Sequence, residues 1–225
     1  MKPRVARVDV GGEIYHVINR ANGRMQIFDT DTDYRLFEQI LLETKEITDM
    51  RILAYALMPN HWHLVLCPRN DGDLGIFMHK LSNSHTRKVH ARTNTNGSGH
   101  LYQGRYKSFL VDSDNYLLTV IKYVERNAVR SKLVNRCEDW KWGSAYVRVH
   151  GTDKQKKLLD EIPTDLPSGY TKWINTADKE EDLKTVRTSV NKSVPYGRDN
   201  WVDKMVLIHH LESTLRSPGR PKENV

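Results

Sequence analysis

The sequence predicts an α+β fold built on a four-stranded antiparallel sheet. Three observations carry that expectation. Short runs of β-branched and aromatic residues alternate with longer amphipathic stretches, and their order is strand, helix, strand, strand, helix, strand. Pro59-Asn60 supplies a tight turn between the two middle strands. That order is a split β-α-β arrangement, with both helices on one face of the sheet and the other face open for a ligand.

Each element has its own warrant. The first strand, 13–20, follows Gly11-Gly12 and sets Ile14, Val17 and Ile18 among Tyr15 and His16; a basic loop, 19–24, ends it. Asp31-Thr32-Asp33 offers capping chemistry for a helix whose apolar face is Leu36, Phe37, Ile40, Leu41 and Ile47. The second and third strands span 51–58 and 61–67. A second helix, 73 to about 92, turns Leu74, Phe77, Met78 and Leu81 inward and carries Lys80, His85, Arg87, Lys88, His90 and Arg92 on its far half. A polar loop, 93–99, is expected to be mobile. The fourth strand, 106–111, precedes a third helix capped by Ser113 or Asp114, running through Leu117, Val120, Ile121, Val124 and Ala128. The result is a ferredoxin-like sheet within a domain of residues 1–150, onto which the cluster Trp140-Lys141-Trp142 docks. Residues 151–225 form a C-terminal extension: partly irregular to about 195, where Pro163 and Pro167 break periodicity, helical over 201–215, and ending in a basic flexible tail, 216–222.

Composition narrows the function classes. Thirty-five Lys and Arg against 28 Asp and Glu give a net charge of +7, which favours an acidic partner such as nucleic acid. Two cysteines, Cys67 and Cys137, suggest a reducing cytoplasm and argue against a disulfide framework or a thiolate zinc site. Apolar runs such as Leu64 to Cys67 fall far short of the ~20 residues of a membrane span, so no membrane partner is expected. Residues 1–7 lack the apolar stretch of a secretory signal.

The chemistry-bearing motif is His61-Trp62-His63. On a strand both imidazoles point to one face, about 6.6 Å apart at the backbone, while Trp62 anchors the other. Two neutral imidazoles so placed can hold a divalent cation; the competing reading is two surface histidines beside a buried tryptophan. On the third helix, Tyr123 and Asn127 are four residues apart and hence on one face. Tyr123 would be a nucleophile if a nearby cation assists its hydroxyl, with the amide oxygen of Asn127 as third ligand. From spacing alone, a core-edge aromatic and a surface or capping asparagine is the favoured reading.

Taken together, His61-Trp62-His63, Tyr123-Val124-Glu125-Arg126-Asn127 and Gly104-Arg105-Tyr106-Lys107-Ser108 resemble the single-tyrosine HUH transposases, and more narrowly the REP-associated tyrosine transposases. Residues 15–22 look like that family's first strand and loop, and Asn127-Ala128-Val129-Arg130 is similar to its Asn-Pro-Val-Arg segment, with Ala128 departing from proline. The resemblance covers about residues 10–150. It implies that His61, His63 and Asn127 bind one Mg²⁺ or Mn²⁺, and that Tyr123 attacks a single-stranded DNA phosphodiester, giving a 5′-phosphotyrosine and a free 3′-hydroxyl. It also implies palindromic repeat hairpins as substrate.

Phosphates would be tracked by Arg20, Asn22 and Arg24 in the first loop, Arg105 and Lys107 before the fourth strand, and Arg130 and Lys132 after the third helix. Tyr15, Tyr102 or Tyr106 would stack on unpaired bases. The expected setting is cytoplasmic and nucleoid-associated, with a monomer favoured over a homodimer because the long C-terminal segment would occupy a partner's surface. The alternative function is a hairpin-binding protein that does not need to cleave. A zinc hydrolase is disfavoured by the lack of an H-E-x-x-H helix.

Overall fold

The computed structural model describes residues 7–95, 97 and 99–216. The basic tail beyond Arg216 and positions 96 and 98 of the polar loop lie outside the described residues.

The chain begins β1 (Ile14–Arg20), α1 (Asp31–Thr48), β2 (Arg51–Met58), β3 (His61–Cys67), α2 (Asp73–Thr93), β4 (Lys107–Val111), α3 (Asn115–Glu125). The strands form an antiparallel sheet in the order β2-β3-β1-β4. This is the ferredoxin-like arrangement: β3, returning from the hairpin, inserts between β2 and β1. Capping at α1 comes from Asp33, whose Oδ2 accepts from the backbone N–H of Thr30 at 2.8 Å and from its hydroxyl at 2.8 Å.

Alternation along the strands divides the core. On one face Tyr15, Val17, Tyr55, Leu57, Trp62, Leu64 and Leu66 pack under α1 and α2 through Phe37, Ile40, Leu41, Phe77 and Leu81. Trp62 is fully buried there and donates from Nε1 to the Tyr102 hydroxyl at 3.0 Å, which also meets His85 Nδ1 at 2.6 Å.

The opposite face was expected to be open, and it is not. Leu117, Val120, Ile121 and Val124 of α3 cover Ala54, Ala56, Val65 and Phe109, and Leu183 and Val186 of α8 (Glu180–Lys192) join them. β2 is apolar on both sides, and β3 adds Val65 and Cys67 to the second face beyond its two histidines, so the sheet requires cover on both.

After α3 come α4 (Asn127–Arg130), α5 (Ser144–His150), α6 (Asp153–Lys156), α7 (Tyr170–Asn175), α8, α9 (Asp199–Ile208) and α10 (Glu212–Leu215). The segment expected to be irregular thus holds the 13-residue α8, whose apolar face is only Leu183, Val186 and Val190 among charged neighbours. Glu125, at the end of α3, ties several of these elements together. Its Oε1 accepts from Ser144 Oγ at 2.6 Å and Arg148 Nε at 3.0 Å, and its Oε2 from the Tyr170 hydroxyl at 2.6 Å.

Both outer strands of the sheet are strapped by the chain's own backbone. On the β2 side Leu57 N–H donates to Trp142 C=O at 2.8 Å, and Asp160 N–H to Ile52 C=O at 2.9 Å. On the β4 side Tyr196 N–H donates to Leu110 C=O at 2.8 Å and Asp112 N–H to Tyr196 C=O at 2.8 Å. The second strap lies so close that a Cβ on Gly197 would meet Asp112 Cβ and Trp201 Cε3, each at 2.5 Å.

Among the described residues, no helix is long and apolar enough to cross a membrane. Burial also sets a pH dependence. His16 and His85 are both fully buried, and burial pulls each imidazole pKa down from 6.5 to about 3. Below pH 6.5 the unfolded chain binds protons that these folded imidazoles refuse, so stability falls as pH drops from 6.5 toward 3. Burial raises Glu38 from 4.5 to about 7, which acts oppositely: its contribution is lost as pH rises from 4.5 through 7. Two imidazoles outweigh one carboxyl, so calorimetry in metal-free buffer should show the melting temperature falling between pH 6.5 and 4.5. A rise on acidification would contradict this.

Candidate active site

His61 and His63 open β3 and face α3, while Trp62 faces α1 and α2. Their ring centroids are 5.1 Å apart. Each Nδ1 is engaged: that of His61 with Asn60 Oδ1 at 2.7 Å, that of His63 with His16 Nε2 at 2.8 Å. Each Nε2 is without a hydrogen-bond partner among the described residues. Burial, then the guanidinium of Arg20, lowers the His61 pKa to about 4. Burial, followed by the neighbouring His16, His61, Arg130 and Arg20, holds His63 well below the ordinary value. Both rings are therefore neutral at pH 7, with lone pairs available to a cation.

Tyr123 of α3 lies against this pair. Its ring stands edge-on to His63, centroids 6.0 Å apart and planes at 80°, and edge-on to His16 at 6.2 Å. The Arg130 guanidinium carbon sits 4.3 Å from the Tyr123 ring centroid, and Arg130 Nη2 donates to the Tyr123 carbonyl. Burial pushes the phenol pKa up, with Arg130 as the largest opposing influence.

Tyr123 and Asn127 do not share one continuous helix. α3 ends at Glu125, Arg126 has φ −84° and ψ 1°, and α4 begins at Asn127. At the break the buried Arg126 side chain meets Asp178, at 2.8 Å, and the Ile174 carbonyl, at 2.9 Å. Asn127 is itself buried, and its Nδ2 has no hydrogen-bond partner among the described residues.

The orphaned Nδ2 is a donor and calls for an acceptor, not a cation. The groups that suit a divalent cation of intermediate hardness are the two neutral imidazoles and the amide oxygen of Asn127. Among the described residues, no group of three or more His, Cys, Asp or Glu side chains could hold a metal. The set of His61, His63 and Asn127 is thus uncharged, and an anionic ligand would have to complete it.

The basic residues separate. Arg20, Arg105 and Lys107 line one cleft of about 330 Å³ beside Asn19 and Gln103. It shares Asn19, Gln103, Gly104 and Arg105 with a groove of about 740 Å³ along α2. Asn22 and Arg24 lie in the exposed turn after β1, with Asn22 lining a different hollow beside His90 and Arg92. Lys132 is exposed beyond α4. Arg130 is turned inward onto Tyr123 and Asp178. Tyr15 and Tyr102 are core residues; Tyr106 alone of the three stacking candidates is half-buried, lining the groove under the Arg7 guanidinium at 4.1 Å.

Sequence alone points to no site role for His16 or Asp178, and marks Asn60 only as a turn residue. His16 was accessible in principle, because β1 adjoins β3 in this topology and position 16 alternates onto the histidine face. Asp178 carries no local signal.

Residues 10–127, just over half of the chain, match the family model described as "Transposase IS200 like". No curated protein matches the sequence. Among solved structures, a REP-associated tyrosine transposase bound to a REP hairpin aligns at TM-score 0.54 and 18% identity, covering 73% of this chain and 94% of that one. A chain assigned as a transposase, from Deinococcus radiodurans R1, aligns at TM-score 0.39 and 20% identity, covering 56% and 96%. The fold is shared with the first of these.

Proposed function

The chain belongs to the IS200-like transposase family, and from that membership we propose that it cleaves and rejoins single-stranded DNA at repeat-derived hairpins, using Tyr123 as nucleophile. The observation that carries this reading is the packing of the Tyr123 ring edge-on against His63, itself paired with His61 on one strand face.

The phenolic oxygen of Tyr123 attacks the phosphorus and gives up its proton to solvent. A tyrosine–phosphate bond forms, the bond from phosphorus to the 3′-oxygen breaks, and that oxygen leaves as a hydroxyl after taking a proton from water. The phosphoester energy is kept in the adduct, so the reverse attack rejoins strands. Arg130, over the ring, favours the phenolate that burial disfavours. His61, His63 and Asn127 would hold one Mg²⁺ or Mn²⁺, whose chemistry when bound is to neutralise phosphate charge. Because that donor set is uncharged, the DNA phosphate is its natural anionic complement.

Arg20, Arg105 and Lys107 in their shared cleft support a path for the phosphate backbone, and Tyr106 a surface for an unpaired base. The protein in the similar structure is bound to a REP hairpin, which supports the same substrate class here. Asn22, Arg24 and Lys132 would serve as outlying phosphate contacts, and the setting would be the nucleoid. We also assign residues 1–150 to the catalytic domain and 151–225 to its extension, acting as a monomer.

The test is to incubate the protein with labelled single-stranded hairpins from the DNA flanking its gene, with and without Mn²⁺. A metal-dependent covalent adduct is expected. Tight binding without an adduct would leave a hairpin-binding protein.

His16 offers a separate check on the metal. His16 Nε2 lies 2.8 Å from His63 Nδ1. In the tautomer where His16 accepts from His63 Nδ1–H, His63 Nε2 is left free for a ligand. His16→Phe should weaken Mn²⁺ binding by roughly 10- to 100-fold, read by paramagnetic resonance in the presence of hairpin. Unchanged Mn²⁺ affinity would remove His16 from the site.

A further inference from the structure

The nucleophile's surroundings include a contact from well outside the family-matched region. Asp178 lies between α7 and α8, 55 positions after Tyr123, and its side chain is only 8% exposed. One of its oxygens, Oδ2, meets both Arg126 Nε at 2.8 Å and Arg130 Nη1 at 3.3 Å. Arg126 is the residue at the break after α3 and Arg130 the last of α4, and their side chains are 9% and 16% exposed. Arg126 is further fixed by the Ile174 carbonyl at 2.9 Å. Arg130 reaches the Tyr123 carbonyl with one nitrogen while its guanidinium lies over the ring.

Two guanidiniums this deep repel one another and are costly unless paired. A single carboxylate offsets one of the two charges and draws both groups to one point. The remaining positive charge is then directed to Tyr123, where negative charge develops on attack.

We propose that Asp178 is a positioning residue for the nucleophile: by gripping Arg126 and Arg130 it fixes the helix break and holds Arg130 over Tyr123, so that the C-terminal extension completes the active site of its own chain. The inference rests on the reading of Tyr123 as nucleophile. Its recognition element is internal, a carboxylate shared between two arginines, and no further ligand is required.

The sign of the effect separates this role from a simple charge effect. As a bare negative charge near the phenol, Asp178 disfavours phenolate, and its removal would speed attack. As a positioning group its loss frees Arg130 to swing out, and attack slows. A displacement of about an ångström at a reacting group costs up to roughly a hundredfold in rate.

The experiment measures single-turnover adduct formation on a labelled hairpin, hairpin Kd and melting temperature for the full chain. Asp178→Asn should slow adduct formation by roughly 10- to 100-fold with Kd within about twofold, since phosphate contacts elsewhere dominate affinity. Asp178→Glu should recover a substantial part of the rate. Should Asp178→Asn fail to fold, Arg130→Lys, which keeps the charge but loses the fork between Asp178 and the Tyr123 carbonyl, should show the same loss of rate at constant Kd. A faster or unchanged rate in Asp178→Asn, or in Arg130→Lys where that variant is needed, overturns the proposal. So does a parallel loss of rate and affinity, which would mark a merely structural contact. A wild-type chain that forms no adduct overturns the nucleophile reading itself, and this inference with it.

Discussion

Tyr123→Phe should abolish covalent capture of DNA while leaving hairpin affinity within about twofold. Phenylalanine keeps the ring that packs against His16 and His63 and the face over which Arg130 lies. It removes only the hydroxyl, which makes no hydrogen bond with any described side chain or backbone group. The fold should therefore be unaffected, and the loss should appear entirely in the chemical step. Affinity should persist because Arg20, Arg105 and Lys107 act through phosphate charge. Denaturing gels after incubation with labelled hairpin and Mn²⁺ give the readout. An adduct persisting in the variant would place the nucleophile elsewhere.

His63→Ala should reduce cleavage by roughly a thousandfold, corresponding to about 4 kcal/mol of transition-state stabilisation. The change removes one imidazole of the cation set and also strands His16, whose Nε2 has His63 Nδ1 as its partner. His61→Ala should approach the same loss of cleavage with less structural cost, because His61 is only half-buried and its side-chain partner is Asn60. Hairpin affinity, measured without metal, should change little in either variant. Full cleavage by His61→Ala would remove the metal from the mechanism.

Much of the frame was legible in the sequence because local chemistry and long-range packing agree there. β2 and β3 fall where 51–58 and 61–67 were expected, since the Pro59-Asn60 turn fixes the hairpin and thereby the face on which both imidazoles lie. Strand order followed from the split β-α-β pattern. Other features were hidden because they depend on partners distant in sequence. The break at Arg126 has no glycine or proline to announce it, and the carboxylate its side chain meets lies 52 residues later. The covered second face was signalled only weakly, by residues 52–58 being apolar throughout rather than alternating. His16 needed the β1–β3 register, which pairs Ile18 with His63 and sets His16 diagonally beside it. The inward turn of Arg130 could not be told from a phosphate contact, because a lone arginine after a helix serves either purpose.

The two backbone straps bear on how copies of this chain meet. An antiparallel sheet with bare margins is a template onto which a neighbouring molecule can add its own strand. Here Trp142 and Asp160 engage donors and acceptors along one margin, and Tyr196 does so along the other. A second molecule seeking to extend the sheet would first have to peel away a segment already bonded there. Assembly by strand addition is thus opposed at both margins, by Trp142 and Asp160 on one and by Tyr196 on the other.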